Sequence, residues 1–421
     1  MKKTGVARVD KEILMSNIQK LASIGRETDD GGITRTTFSE SDIMARSFIS
    51  NCMSEAGLKV RIDEFANIIG RLDPYPTTYN DSNSTVIMCG SHIDTVPGGG
   101  HLDGAYGVLA GIEALRTIRE KKIAHRHPVE VVCFTEEEGA RFPAFLGSKG
   151  FTGQISKEQA YSLKDSNGVS FLEAMSRAGL TPDKLSVSRY PNEIIGAYLE
   201  LHIEQGPVLE NSKKDIGVVD SIVGLADLEI KVIGKAGHAG TTPMVSRRDA
   251  LIAASKIIVE VNRIAMQYAG KAVATVGKIN VWPNASNVIP GTALLGVDFR
   301  SSSISLMKDL RSNIINSAKA TGKKEGMKIL SDLKLFAEPA KMSKHIMSVI
   351  KRKAEKLGYS YSVMPSGAGH DCQNMSKITK TGMIFVPSHL GLSHCKEEYT
   401  PPAKLAAGAD VLVNSLIELA S

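Results

Sequence analysis

Apolar positions recur at helical spacing over residues 10–24 (Ile13, Leu14, Ile18, Leu21) and 39–56 (Ile43, Ala45, Phe48, Ile49, Met53), which predicts two amphipathic helices early in the chain. Short β-type segments follow at 58–64, 67–72 and 84–89, with the turn-rich "DPYPTTYNDSNS" before the third. Val108, Leu109, Ile112, Leu115 and Ile118 mark a helix between Gly104 and Arg119, "VEVVCF" at 129–134 a compact buried strand, and "IGAYLEL" at 195–201 another strand. Strands alternating with helices predict a largely parallel or mixed sheet between helix layers.

Around Gly224 the pattern changes. "ADLEIKVI" alternates Leu228, Ile230 and Val232 toward one side, as a sheet with one wet face does. A helix at 249–265, strands at 273–279 and 293–299, a helix at 303–321 and a strand near 327–333 complete a β-α-β-β-α-β order, the ferredoxin-like arrangement. These segments read as a domain inserted over 215–330 into a larger one formed by 1–214 and 331–421. The larger one resumes with a helix at 342–357, a strand at 383–386 and a helix from about 403.

Composition narrows the function classes. Of 421 residues, 42% are hydrophobic and 23% charged, as in an ordinary globular protein. No apolar run approaches the ~20 residues of a membrane helix, and "MKKTGVARVDKEIL" has no apolar signal core, so a cytoplasmic location is expected. Five scattered cysteines form no C-x-x-C pair, which argues against a disulfide framework. The net charge of +6 is spread along the chain and aromatics are 5%, so neither a nucleic acid nor a membrane is the expected partner.

Four polar clusters stand after predicted strands of the larger domain: His92, Asp94 and Asp103; Glu136–Glu138; His202; and His394. Singly, each has a bland reading, since a histidine after a strand is ordinarily a satisfied residue and a glutamate triplet a solvated helix start. In an open α/β sheet, however, ligands gather at the carboxyl ends of the strands. Three histidines, an aspartate and a glutamate on one rim form a donor set suited to Zn²⁺, and one that also accepts Mn²⁺, Co²⁺ or Ni²⁺.

The stretches "GSHIDTVPGGGHLDGAYGVLAG", "FTEEEGARF", "LELHIEQGPVLE", "GKAGHAGTTPM", "NVIPG", "SGAGHD" and "GLSHCKEEYT" together resemble the di-zinc amidohydrolases of the N-carbamoyl-L-amino acid hydrolase, allantoate amidohydrolase and β-ureidopropionase family. The likeness runs from "GGITR" near residue 31 to the C-terminus, in the family's order. It implies an α/β/α metallohydrolase domain carrying two divalent ions, most simply Zn²⁺, and an inserted dimerisation or lid domain through which two subunits pair.

The resemblance also distributes roles. His92, Asp103 and His202 would hold one metal, and Asp103, Glu138 and His394 the other, with Asp103 bridging. Asp94 would accept the free N–H of His92 and fix its tautomer. Glu137 would deprotonate the metal-bridging water and return the proton to the leaving nitrogen, while two ions about 3.5–4 Å apart acidify that water and polarise the carbonyl. His238 and Asn287 match the oxyanion donors, Arg300 the residue that grips a substrate carboxylate, and Gln205 and Gly367 further substrate contacts. Arg300 as a surface ion pair and Asn287 as a turn residue are the plainer alternatives. Hydrolysis of an N-carbamoyl-L-amino acid is the expected activity, with allantoate hydrolysis second and a related ureido-acid hydrolase, peptidase or aminoacylase third. A non-catalytic binding protein on the same fold is the reading from another class, opposed by the presence of every ligand and the base.

Overall fold

A computed structural model of the chain describes residues 6–27, 31–77, 85–182, 185 and 195–421. Part of the turn-rich segment predicted before the third strand, residues 78–84, lies outside the described residues. The chain divides into two compact units: residues 1–220, 341–366 and 370–421, and residues 221–340 with 367–369.

The first unit begins with helices α1 (Lys11–Ser23) and α2 (Glu40–Glu55), whose first-turn N–H groups are accepted by the side chains of Asp10 and Ser39. Strands β1 (Lys59–Ile62), β2 (Ile68–Leu72) and β3 (Val86–His92) follow, then helix α3 (Ala105–Glu120) and strand β4 (Val129–Phe134). Three short helices, α4 (Leu146–Phe151), α5 (Lys157–Ser162) and α6 (Phe171–Arg177), precede strand β5 (Ile195–Ile203), helix α7 (Val208–Asn211) and strand β6 (Ile216–Ile222).

The second unit contains strands β7 (Gly224–Ile233) and β8 (Gly237–His238), helix α8 (Ala250–Met266), strands β9 (Ala272–Trp282), β10 (Val288–Ile289) and β11 (Thr292–Ser301), helix α9 (Ile304–Glu325) and strand β12 (Lys328–Ala337). After β13 (Ala340–Lys341), the first unit resumes with helix α10 (Lys344–Leu357), strand β14 (Tyr361–Ser366), helix α11 (Asp371–Met375), strand β15 (Thr381–Val386) and helix α12 (Pro402–Leu419).

The large sheet is ordered β1-β2-β4-β3-β5-β15-β6, with β14 also on β6 and the two-residue β13 at the edge. Its centre is parallel: β3 pairs with β4 and β5, and β5 with β15, in parallel. Flanking pairs are antiparallel. Every residue of β3, β4 and β15 is buried, which explains the unbroken apolar runs of the central strands. Parallel alignment brings His92 opposite Phe134 and His202 opposite Phe385, so the chemistry-bearing ends of four strands share one rim.

In the second unit the order β12-β7-β11-β9 is antiparallel throughout, the ferredoxin-like topology expected. Alternate residues of β11 are buried, against Ala253, Ile257 and Val261 of α8 and Leu310 and Ile314 of α9. The unit's limits differ from the predicted 215–330. Strand β6 is part of the large sheet, paired with β15, and β12 continues along β7 to Ala337, seven residues past the expected boundary. The first boundary is missed because the apolar residues of β6 do not alternate cleanly, and the second because β12 shifts register between Leu333 and Leu335, past which no strand is predicted. No helix of the described residues is long and apolar enough to cross a membrane.

Candidate active site and metal centre

His92 is the last residue of β3, and the loop that follows returns Asp103 beneath it. Gly104 has φ 60°, and a Cβ there would lie 2.4 Å from the His92 ring, so the loop can close only on glycine. Past β4 the backbone turns sharply at Glu136, itself at φ 57°, and presents Glu137 and Glu138 toward Asp103. His202 lies near the end of β5, and His394 on the loop between β15 and α12.

These residues converge. Asp103 Oδ1 lies 3.1 Å from His202 Nε2 and 3.7 Å from His92 Nε2, whereas Oδ2 lies 3.2 Å from His394 Nε2, which in turn is 3.5 Å from Glu138 Oε1. Two constellations that could each hold a metal ion therefore share one carboxylate: His92, Asp103 and His202, and Asp103, Glu138 and His394. The geometry also permits His92 with Glu137 and Glu138, and Glu200 with His202 and His370.

The protonation pattern fits a cation. His92 Nδ1 is 3.0 Å from the Asp94 carbonyl and His202 Nδ1 2.9 Å from the Ile203 carbonyl, so in each neutral ring Nδ1–H donates and Nε2 keeps its lone pair. Lone pairs then face carboxylate oxygens across 3–4 Å, an arrangement that repels unless a positive charge lies between. In the metal-free protein a proton takes that part. Burial pushes His202 down, but its bond to Asp103 and the charges of Asp103 and Glu200 outweigh burial and raise it to about 9. Burial also drives Glu137 and Glu138 well above the usual carboxylate range, with the neighbouring carboxylates adding to the shift.

Asp94 differs from its expected role. Its carboxylate is 3.7 Å from His92 Nδ1, and it is the backbone carbonyl that accepts the ring's N–H. The carboxylate instead accepts the backbone N–H of Glu137 (3.2 Å) and of Glu138 (3.1 Å). The loop after β3 bends so that the carbonyl comes closer to the ring than the side chain does.

Gln205, at φ 56°, donates from Nε2 to Asp103 Oδ2 at 2.7 Å, and its buried Oε1 has no hydrogen-bond partner among the described residues. In the second unit, β8 and β10 pair so that His238 is opposite Val288, and Asn287 accepts the Ala239 N–H. His238 Nδ1 accepts from Gly240 N (3.0 Å) and Thr241 N (3.3 Å), which leaves the ring proton on the exposed Nε2 as a donor. Arg300 is held side-on by Asp298 (Nε–Oδ1 3.0 Å, Nη2–Oδ2 3.2 Å), and its Nη1 donates to the Gly367 carbonyl at 2.9 Å. With three of five donors engaged, one N–H remains on each terminal nitrogen, the pair that would face a carboxylate end-on.

Sequence reasoning missed three residues of the site. The Glu136 side chain accepts from Arg141 N (2.8 Å) and Phe142 N (2.9 Å), closing the turn that presents its two neighbours. Ser393 and Glu398 hold Asp103 from behind. Glu136 sat inside the triplet and Glu398 inside "CKEEYT", but nothing in either run separates a supporting carboxylate from a ligating one.

The model of peptidase family M20/M25/M40 matches residues 88–418, a span that contains every site residue above. The chain belongs to this family. Enzymes of family M20 are metal-dependent, in keeping with the two constellations around Asp103. The M20 chain is 36% identical over 413 residues to the N-carbamoyl-L-amino acid amidohydrolase of Geobacillus stearothermophilus, covering 98% of this chain and 99% of that protein. It is also 36% identical over 413 residues to the allantoate amidohydrolase of Escherichia coli, covering 97% and 98%. Among solved structures, an amidase of the hydantoinase/carbamoylase family from Burkholderia vietnamiensis matches with a TM-score of 0.88 and 35% identity over 98% of each chain.

Proposed function

We propose that the protein hydrolyses the carbamoyl C–N bond of an N-carbamoyl-L-amino acid, releasing the amino acid, CO₂ and ammonia. The observation that carries this reading is Asp103, whose two oxygens each face a separate set of donors, a buried one at Oδ1 and one that opens to solvent at His394 on the Oδ2 side. His92, Asp103 and His202 would hold one divalent ion and Asp103, Glu138 and His394 a second, most simply Zn²⁺. Bound there, the ions would acidify water and polarise the scissile carbonyl.

The chain's own residues supply the rest. Glu137 accepts a proton from the attacking water and passes it to the leaving nitrogen, so one carboxylate serves both halves of the reaction. His238, held as an Nε2–H donor, and Asn287 stabilise the oxyanion. Arg300 receives the substrate carboxylate on its two remaining N–H groups, oriented by Asp298, with Gln205 and Gly367 as further substrate contacts.

The second unit serves as the dimerisation and lid domain. It exposes Ile252, Val259 and Met266 at seven-residue spacing on α8, and Val273, Ile279 and Trp282 on β9, an edge strand of eleven residues. A long apolar edge beside an apolar helix stripe suits antiparallel pairing with a second copy. The enzyme acts in the cytoplasm on a small ureido acid.

Allantoate is the second reading, since the Escherichia coli allantoate amidohydrolase is as similar as the carbamoylase and "RFPAFLGSKGF" resembles that branch. Ammonia release by metal-replete enzyme from a panel of N-carbamoyl-L-amino acids, their D-isomers and allantoate separates the two. Turnover of L-carbamoyl substrates is expected; turnover of allantoate alone would move the assignment, and none at all would remove it.

A further inference from the structure

Glu398 belongs to neither constellation around Asp103, yet the loop that carries Asp103 is built around its carboxyl group. Oε1 accepts both the Leu102 N–H (2.7 Å) and the Asp103 N–H (3.1 Å). Ser393 Oγ lies 2.8 Å from Glu398 Oε2 and 2.8 Å from Asp103 Oδ2. A Cβ on Gly100 would fall 2.2 Å from the Glu398 carboxyl, so the backbone of the glycine run closes directly on that group. One buried carboxyl, 2% exposed, thus grips Asp103 twice: its backbone directly, its side chain through a hydroxyl.

This is a costly way merely to close a loop, because two buried carboxyl groups sharing one hydroxyl repel. What the arrangement does accomplish is to fix the rotation of the Asp103 carboxylate. With Ser393 and Gln205 both on Oδ2, the side chain cannot turn without breaking two bonds. The loop bearing Ser393 and Glu398 also bears His394, so the grip ties one donor of the second constellation to the carboxylate shared with the first.

We propose that Glu398, acting with Ser393, is a positioning residue that holds the Asp103 carboxylate with one oxygen toward each metal site and thereby sets the affinity of both sites together. The inference rests on the two-metal reading, and its test separates the two. Metal-loaded wild-type enzyme, Glu398→Ala, Glu398→Gln and Ser393→Ala are titrated with a competing chelator while bound metal per subunit is measured, and the thermal midpoint of each metal-free form is recorded. Glu398→Ala is expected to weaken both sites in parallel by ~10–100-fold, the usual range for groups that orient ligands. Glu398→Gln keeps an oxygen for the two backbone N–H groups and an amide N–H for Ser393, and is expected to retain affinity close to wild type. Ser393→Ala removes only the side-chain grip and is expected to weaken both sites by less than Glu398→Ala does.

Wild-type affinity in Glu398→Ala with only a lower metal-free midpoint would overturn the proposal. So would weakening of one site alone, or Glu398→Gln behaving like Glu398→Ala. Should Glu398→Ala not fold, Ser393→Ala decides, and unchanged affinity there is equally fatal. A wild-type enzyme that retains no divalent ion instead removes the two-metal reading itself.

Discussion

Asp94 holds Glu137 by its main chain: the aspartate's Oδ1 accepts the Glu137 N–H at 3.2 Å, and its Oδ2 the Glu138 N–H at 3.1 Å. The proposed general base and its proposed ligating neighbour therefore share one support. Asn at position 94 could accept only one of those N–H groups and would turn an NH₂ toward the other. Asp94→Asn is expected to lower kcat by ~10–100-fold while the first ion stays, because the Asp94 carbonyl still orients His92. Metal content and kcat measured on the same preparation check this. Loss of all bound metal would show that the carboxylate, and not the carbonyl, orients the His92 ring.

Glu137 and Glu138 are adjacent but have different tasks in the proposed mechanism. Glu137→Gln is expected to retain both ions and lower kcat by at least ~10²-fold, the low end for general acid–base catalysis. Glu138→Gln is expected to lose metal from the second site. His92 Nε2 also lies 3.6 Å from Glu137 Oε2, so metal analysis of both variants is the deciding measurement. If Glu137→Gln loses an ion and Glu138→Gln keeps both, the roles must be exchanged.

The parts of the site legible in the sequence are those that a strand end fixes by itself. His92 and His202 sit at or beside the termini of central strands, and an apolar run with a polar end is visible one segment at a time. What stayed hidden depends on tertiary closure. Glu398 meets Asp103 across 295 residues, and no local spacing encodes that meeting. The Asp94 carbonyl displaces its own carboxylate from His92 only because of how the loop bends. Strands β6 and β14 went unseen, β6 because its apolar residues do not alternate cleanly and β14 because buried and exposed residues mix along it.

Metal binding should release protons. In the metal-free protein His202 is held at about 9, so at neutral pH it is an imidazolium, whereas burial holds His92 below its usual range and neutral. A ligand nitrogen must be unprotonated, so the first ion is expected to displace about one proton near pH 7, and its apparent affinity to rise with pH until about 9 and then level. Calorimetric titrations at pH 7 in buffers of different ionisation enthalpy measure the proton count. Enthalpies that do not change with the buffer would contradict this account of His202.

The Asp298–Arg300 pair gives a separate test of substrate recognition. Asp298 occupies the side edge of the guanidinium and the Gly367 carbonyl takes one N–H of Nη1, leaving one N–H on each terminal nitrogen. A lysine ammonium has no such fork. Arg300→Lys is expected to reduce kcat/KM substantially for a carboxylate substrate and to change it little for the corresponding neutral amide. Equal losses with both substrates would remove Arg300 from carboxylate binding.

His238 and Asn287 belong to the second unit, whereas all five proposed ligands and Glu137 belong to the first. If the second unit pairs two copies through α8 and β9, a donor on the β8–β10 ribbon can serve the neighbouring subunit's site. An obligate homodimer is then expected, in which His238→Ala and Glu137→Gln homodimers are each nearly inactive. Mixed dimers distinguish the arrangements. With His238 acting in trans, one site of each heterodimer carries both defects and the other neither, so about half of wild-type activity per heterodimer returns. With His238 acting in cis, both sites remain defective and mixing restores nothing. Co-expression with two different affinity tags isolates the heterodimer, and its activity is compared with that of each parent. An isolated heterodimer no more active than its parents would end the shared-site reading, while leaving the assignment of Glu137 as the base to stand on its own test.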